Sequence, residues 1–269
     1  MSYNGVESTF DRIHANSLHK AGYLGKDILI AFYDVDRINF ERTELKHTVL
    51  PGREILAGVE GHATQMALIA AGAVNTQGNI GIAPQAKISS DPLDEHLIKI
   101  VSNSILGRNL LAAQYTMPPG GVSPGVFLNP PDPAVVDNIY VIIAGNSGPG
   151  VNTNMGFGIP DNYYPVHGNI IVTVAVDENN RITTTSSSCG IKTHLFCIAV
   201  PSPGPTSPTA PIVSGAIALL MEAVPGRPLN QYVHAILNTA TPLPDSSPNE
   251  TGVGLLNVEA AWNYLRANP

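Results

Sequence analysis

Residues 27–34 read Asp-Ile-Leu-Ile-Ala-Phe-Tyr-Asp, an apolar run of six residues that ends at the carboxylate of Asp34. Strands that are buried on both faces of a parallel sheet have such continuous apolar runs, and Gly25 lies just ahead of this one. A similar run occupies residues 138–144 and is followed by the turn-like segment Gly-Asn-Ser-Gly at 145–148. Both runs are therefore predicted to be buried strands that end at polar residues.

Helices are predicted between these strands and after them. Residues 62–72 are nearly all small or apolar, which is typical of a buried helix. Ser207 and Pro208 occupy the preferred N-cap and first positions of a helix over 208–224. The remaining predicted elements are strands at 86–90, 98–102 and 169–176 and helices at 93–99, 229–240 and 258–265.

Strands and helices alternate along the chain, which predicts an α/β fold with a mostly parallel sheet. We expect three layers, a doubly wound sheet with helices on both faces. The 269 residues, 43% of them hydrophobic, are enough for one large core, so a single domain over residues 1–269 is expected. Functional sites in such sheets form at the carboxyl ends of the strands.

Charge and hydropathy exclude several classes of protein. The 14 basic and 21 acidic residues give a net charge of −7, without a basic run of five or more, so nucleic-acid binding is not expected. No apolar stretch reaches the roughly 18 residues that span a bilayer, and the first residues lack the pattern of a signal peptide. We expect a monomer that is secreted or at the cell surface with its signal absent from this chain, or alternatively cytoplasmic.

Three polar residues lie at the ends of predicted buried elements: Asp34 after a strand, and His62 and Ser207 at the starts of helices. Each alone fits a cap or turn residue, because a polar group is costly to bury unless it is hydrogen-bonded. Together they are a nucleophile, a base and an orienting carboxylate. They are the predicted catalytic groups, and Asp36, two residues after Asp34, is the alternative carboxylate.

The order Asp, His, Ser and the residues around each one resemble the subtilisin-like serine proteases, or subtilases. The segment GHATQMA at 61–67 resembles the family motif Gly-His-Gly-Thr-His-Val-Ala, and PTSPTAP at 205–211 resembles Gly-Thr-Ser-X-Ala-X-Pro. AFYD at 31–34 resembles Ala-Val-Ile-Asp, and AGN at 144–146 resembles the oxyanion motif Ala-Gly-Asn. The resemblance extends from about residue 10 to residue 265.

This resemblance implies a serine endopeptidase that cleaves a peptide or protein substrate through an acyl-enzyme intermediate. It implies that the Asn146 amide and the Ser207 backbone N–H form the oxyanion hole. An extended substrate would lie beside an edge strand and bind through main-chain hydrogen bonds. The implied walls of the substrate site are Ile105, Leu106, Gly107, Ala144 and Gly145.

Cys189 and Cys197 are the only cysteines, and their spacing of eight residues could close a small loop. A zinc site is not expected, because His194 between them gives too few ligands. The pair resembles the cysteines that bracket this loop in autotransporter-passenger subtilases of Gram-negative bacteria, so it is a candidate disulfide, which needs an oxidising compartment. No carboxylate cluster has calcium-ligand spacing, so no cofactor and no essential metal is expected.

Several residues depart from the family pattern. Pro205 replaces a glycine just before the nucleophile and has no backbone N–H, Thr209 replaces a small alanine, and the stretch from 88 to 138 looks shortened. One alternative is therefore a catalytically impaired subtilase-like fold that acts as a protein- or peptide-binding module. A nucleotide-binding protein that uses the glycine-rich turn at 145–150 is less favoured, because no helix opens after that turn.

Overall fold

The computed structural model describes residues 6–34, 36–49, 58–91, 109–113, 138–151 and 170–269. The strands in these ranges are β1 (Leu29–Tyr33), β2 (Lys87–Asp91), β3 (Asn109–Ala113), β4 (Asn138–Ile143), β5 (Ile170–Val176) and β6 (Cys197–Pro201). The helices are α1 (Val6–Arg12), α2 (Asn16–Lys20), α3 (His62–Ala71), α4 (Thr209–Ala223), α5 (Leu229–Asn238), α6 (Pro248–Thr251) and α7 (Val258–Ala267). Short 3₁₀ helices occupy Lys46–Thr48 and His194–Phe196.

The strands form one sheet in the order β2-β1-β3-β4-β5-β6, and every neighbouring pair is parallel. All six carboxyl ends therefore lie at the same edge. The chain passes from β1 outward to β2 and then returns past β1 to β3. This reversal makes the carboxyl end of β1 a topological switch point, where open α/β sheets bind their ligands.

One face of the sheet carries the main hydrophobic core. Ile30 and Phe32 of β1 belong to the same buried cluster as Leu68 of α3 and Leu219 of α4. Helix α4 is buried at 13 of its 15 residues, and α3 at eight of ten. Burying a large aliphatic side chain stabilises the fold by roughly 1.5–3 kcal/mol, so these two helices are firmly anchored on the sheet.

The opposite face is packed by a smaller cluster. Val172, Val174 and Val176 of β5 point to this side, as the two-residue period of a strand requires. Phe196, from the second 3₁₀ helix, packs against this cluster, which also includes the buried Cys197. In the described ranges, no helix is long and apolar enough to cross a membrane.

Most of the predicted elements are present, with boundaries that differ by one or two residues. Strands β3 and β6 were not predicted, nor were the short helices α1, α2 and α6. The predicted strand at 98–102 and helix at 93–99 lie outside the described residues. All strand pairs in the described part are parallel, in agreement with the predicted sheet.

The start of α4 corrects the sequence-based prediction. The helix begins at Thr209, with Pro208 at the N-cap, whereas Ser207 was predicted as the N-cap and Pro208 as the first helical residue. The reason is a turn ahead of the helix, in which the Thr209 N–H donates to the Thr206 carbonyl at 2.9 Å. Ser207 lies inside this turn, so it is not used to cap the helix.

Candidate active site

A buried carboxylate and an imidazole meet at the carboxyl end of β1. Asp34 follows the strand directly and is only 5% exposed, while His62 is the first residue of α3. Nδ1 of His62 lies 2.7 Å from Oδ1 of Asp34. The carboxylate accepts a hydrogen bond from the Nδ1–H group. This bond fixes the tautomer and leaves Nε2 as the basic nitrogen.

The pKa of His62 is raised above its ordinary value. The main cause is the hydrogen bond to Asp34, which opposes the lowering effect of burial. The negative charges of Asp34 and Asp36 raise the pKa further. The histidine therefore binds a proton more readily than an isolated imidazole does, which suits a base that must become an imidazolium.

The second carboxylate candidate has a different partner. Oδ2 and Oδ1 of Asp36 accept the backbone N–H groups of His62 and Ala63 at 3.0 and 2.8 Å. Asp36 thus caps α3, while Asp34 binds the imidazole ring. The geometry agrees with the preference for Asp34 as the carboxylate that orients the histidine.

Ser207 shares a pocket with His62. The pocket has a volume of about 400 Å³ and lies where the turn before α4 faces the start of α3. Ser207 itself is only 6% exposed. The residues that line the pocket are Glu60, Gly61, His62, Gln65, Met66, Pro205, Ser207 and Pro208. The structure therefore brings together the predicted base and the predicted nucleophile, which are 145 positions apart in sequence.

Asn146 lies just beyond the end of β4 and is exposed. Its Oδ1 accepts two hydrogen bonds from Thr206, one from the backbone N–H at 2.7 Å and one from the hydroxyl at 2.9 Å. Because the oxygen is engaged on that side, the NH₂ group of the amide is the end that remains to donate. A donor of this kind next to the Ser207 turn is what an oxyanion hole needs.

A chain of threonine hydroxyls supports this corner of the site, and sequence reasoning missed it. The Thr209 hydroxyl donates to the Thr206 carbonyl at 2.6 Å and lies 2.6 Å from the Thr173 hydroxyl of β5. Thr173 in turn lies 3.4 Å from the Ile142 carbonyl of β4. The only available signal was that Thr209 stands where the family pattern has alanine.

The predicted substrate-binding residues fall into two groups. Ile105, Leu106 and Gly107 lie outside the described residues. Ala144 is buried, and the Gly145 carbonyl accepts the Ser187 N–H at 2.8 Å. A side chain at position 145 would approach the Ser187 hydroxyl, and the positive φ of 111° there favours glycine.

Cys189 and Cys197 form a disulfide with an S–S distance of 2.05 Å, and both residues are fully buried. The bridge closes the loop that carries the 3₁₀ helix His194–Phe196. Among the described residues, no group of three or more histidine, cysteine or acidic side chains is arranged to hold a metal ion.

An Asp–His pair and a serine at the carboxyl edge of a parallel α/β sheet, in the chain order Asp, His, Ser, are the arrangement found in subtilisin-like serine proteases. Comparison with known proteins agrees. The model of the subtilase family, Peptidase_S8, matches residues 93–254, more than half of the chain. The chain belongs to the subtilase family, and it is a subtilisin-like serine endopeptidase.

Curated relatives cover almost all of the chain. Subtilisin DY from Bacillus licheniformis is 30% identical over 279 aligned positions, covering 93% of this chain and 96% of the relative. Subtilisin Savinase from Lederbergia lenta is 26% identical with the same coverages of 93% and 96%. Nothing in these matches favours the catalytically impaired alternative.

Solved structures share the fold at lower identity. The serine protease of Aeromonas sobria superposes with a TM-score of 0.73 at 16% identity, covering 96% of this chain, which spans 63% of that protein. The protease domain of PatA has a TM-score of 0.64 at 20% identity, with coverages of 90% and 96%. These neighbours confirm the predicted three-layer α/β fold.

Proposed function

We propose that Ser207 is the nucleophile of this endopeptidase and His62 its general base. The Ser207 hydroxyl attacks the scissile carbonyl while Nε2 of His62 takes its proton, and Asp34 stabilises the imidazolium that forms. His62 then protonates the leaving amine, which leaves an acyl-enzyme that water hydrolyses by the same steps. The observation that carries the proposal is that His62 is hydrogen-bonded to Asp34 and shares one pocket with Ser207.

The negative oxygen of the tetrahedral intermediate is held by two donors in this proposal. One is the Asn146 amide, whose oxygen is bound by Thr206. The other is the backbone N–H of Ser207, ahead of α4. Donors that are oriented before the reaction stabilise developing charge without the cost of reorganisation. The peptide or protein substrate would lie along Ile105–Gly107 and Ala144–Gly145, as the resemblance implies.

A fluorophosphonate probe, which reacts with activated serines, tests this assignment. The wild-type protein should be labelled, Ser207→Ala should not be labelled, and His62→Ala should be labelled far more slowly. Ser214→Ala is a matched control, because Ser214 is a fully buried serine on α4, and its labelling should equal that of the wild type. Full labelling of Ser207→Ala, or none of the folded wild type, would refute the proposal.

The proposed setting is secreted or at the cell surface, and the disulfide supports it because such bonds persist in oxidising compartments. A monomer without a required metal is the simplest form, since the side chains at the site supply the base, the nucleophile and the oxyanion donor. Intact mass should rise by about 2 Da on reduction, and a chelator should leave the rate unchanged. An unchanged mass, or a loss of activity with the chelator, would contradict these two parts.

A further inference from the structure

The side chain of Asp36 binds backbone N–H groups at the start of α3, the helix that begins with His62. The N-cap of α3 is Gly61, which has no side chain, and the first turn of the helix contains no acidic residue. The first N–H groups of a helix have no partner within the helix, and the helix dipole makes this end positive. Asp36 accepts the first two of them, from His62 and Ala63, at 3.0 and 2.8 Å.

The approach of this carboxylate depends on the glycine before His62. A Cβ added at Gly61 would lie 2.0 Å from Oδ2 of Asp36 and 2.8 Å from its Cγ. Because atoms cannot approach so closely, any other residue at 61 would displace the carboxylate. Gly61 and Asp36 therefore form one structural unit at the start of α3.

We propose that Asp36 is a positioning residue for peptide hydrolysis, whose carboxylate fixes the start of α3 and thereby the place of the His62 ring between Asp34 and Ser207. The proposal rests on His62 being the general base, as proposed above. Asp34 holds the ring itself, whereas Asp36 holds the backbone from which the ring extends.

The charge of Asp36 adds an effect that capping alone does not have. Together with the hydrogen bond and charge of Asp34, it raises the pKa of His62, while burial lowers it. Glu60, which also lines the pocket, is paired with Arg42 at 2.9 Å. Removing the Asp36 charge should therefore let His62 lose its proton at lower pH.

Two variants of Asp36 separate position from charge. Asp36→Ala removes both backbone contacts, so kcat should fall by about tenfold or more with little change in KM, since a shift of about 1 Å in a reacting group can cost roughly 100-fold. Asp36→Asn keeps one acceptor oxygen and removes the charge. It should retain more of kcat and move the acid limb of the kcat/KM profile to lower pH.

Matched controls distinguish positioning from general stabilisation. Asn257 caps α7, which carries none of the proposed site residues, by accepting the Ala260 N–H at 3.0 Å. Asn257→Ala should lower Tm about as much as Asp36→Ala, with kcat and the acid limb unchanged. Gly61→Ala should reproduce the kinetic defect of Asp36→Ala. Gly150→Ala, where an added Cβ meets nothing within 4 Å, should not.

The inference is overturned if Asp36→Ala keeps the wild-type kcat and acid limb while Tm falls as in Asn257→Ala. If Asp36→Ala does not fold, two other variants test the inference. An unchanged acid limb in Asp36→Asn overturns the charge effect, and a wild-type rate in Gly61→Ala overturns the positioning role. His62→Ala distinguishes a failure of the proposed general base from a failure of the inference about Asp36. If it stays active, the proposed general base is wrong, whereas an inactive His62→Ala with a fully active Asp36→Ala refutes the inference about Asp36 alone.

Discussion

Two of the proposed functional side chains, those of His62 and Asn146, are each oriented by a neighbour that binds the other end of the group. Asp34 binds Nδ1 of His62, which presents Nε2 to the pocket. Thr206 binds the oxygen of the Asn146 amide, which presents its NH₂ group. In the proposed mechanism, the chemistry therefore depends on residues that need not contact the substrate.

Asp34→Asn should abolish most of the activity. An asparagine does not hold the Nδ1–H tautomer or stabilise the imidazolium, and the equivalent change in a serine-protease triad lowers kcat by about 10⁴-fold.

In the wild type, kcat/KM should rise with pH as His62 loses its proton. Because the pKa of His62 is raised, the midpoint of this rise should lie at a pH above 6.5, the ordinary pKa of histidine.

Both effects can be read from kcat/KM measured between about pH 5 and pH 9 with one peptide substrate. Any residual activity of Asp34→Asn should rise at lower pH than that of the wild type, since the partner that raises the pKa is gone. A kcat within tenfold of the wild type, or a wild-type acid limb below the ordinary histidine value, would contradict the role given to Asp34.

Asn146→Ala should lower kcat by about 100- to 1000-fold with little change in KM, which is the loss that removing the side-chain oxyanion donor causes in subtilisin. Thr206→Val removes the hydroxyl, and with it the contacts to Asn146 and to the Gly145 carbonyl, but keeps the backbone N–H that Asn146 accepts. The loss for Thr206→Val should therefore be smaller, about fivefold to tenfold, as for one hydrogen bond of about 1 kcal/mol. An equal fall in kcat in the two variants, or a rise in KM with no change in kcat, would exclude Asn146 as an oxyanion donor that Thr206 orients.

The residues with a local motif, Asp34 among them, could be predicted from the sequence, whereas the threonines that support them could not. Asn146 follows a buried strand within Ala-Gly-Asn, and Ser207 lies before a long apolar helix. By contrast, the contact between the Thr173 and Thr209 hydroxyls joins residues 36 positions apart on different elements. Threonine is common in strands and turns alike, so no sequence pattern marks such a contact.

At the scale of elements, two helices deliver the proposed base and nucleophile because they start at the carboxyl edge of the sheet. Helix α3 begins at His62 itself, and α4 begins two residues after Ser207. The extra turn before α4 was not predictable, since Ser-Pro is also a good helix start. Strand β6 escaped prediction because its five residues end in proline and precede a Ser/Gly/Pro-rich segment typical of a loop.

Thr209→Val tests the link between α4 and the sheet. The change keeps the shape of the side chain but removes its fully buried hydroxyl. The buried Thr173 hydroxyl of β5 then loses its partner at 2.6 Å, whereas the Thr206 carbonyl keeps the Thr209 N–H. The free energy of unfolding should fall by about 1–3 kcal/mol, the usual cost of a buried polar group that has lost its partner. Urea unfolding gives this value directly.

Thr239→Val is the matched control for this measurement. The Thr239 hydroxyl also donates to a helical carbonyl, that of Ala235 at 2.6 Å, but the residue is only half-buried. Water can replace its contact, so the loss of stability should be clearly smaller than for Thr209→Val. Equal stability of Thr209→Val and the wild type would show that the buried hydroxyl does not join these elements.

At the scale of the whole molecule, the parallel sheet explains how distant segments meet. Asp34 follows β1 and Asn146 lies beyond β4, and parallel strands place these ends along one edge. The alternation of strands and helices was enough to predict such a sheet. The order of the strands was not predicted, because apolar runs of similar length fit any central position equally well.

Stability of the whole domain should decline in mild acid. Burial lowers the pKa of His19, whose Nε2 lies 2.7 Å from the Ile82 carbonyl, and burial likewise lowers the pKa of His47. Both histidines bind a proton less readily in the folded protein than in the unfolded chain, which takes up protons as pH falls below 6.5. The stabilisation is therefore complete above that pH and is lost progressively below it.

Urea unfolding at several pH values between about 5 and 8 measures this dependence. His19→Gln should flatten it, because the glutamine amide can still reach the carbonyl without titrating in this range. His234→Gln, at an exposed position on α5, should keep the wild-type dependence. Identical pH profiles for the wild type and His19→Gln would show that burial of this histidine does not limit acid stability.

Asp34, His62 and Ser207 should act together on one peptide bond, and a crystal structure of the protein after reaction with a phosphonate inhibitor tests this arrangement. We predict phosphorus bonded to the Ser207 oxygen, Nε2 of His62 within about 3 Å of that oxygen, and the Asn146 amide donating to the phosphonyl oxygen. An adduct on any other residue, or His62 turned away from Ser207 in the adduct, would show that these side chains do not form the proposed triad.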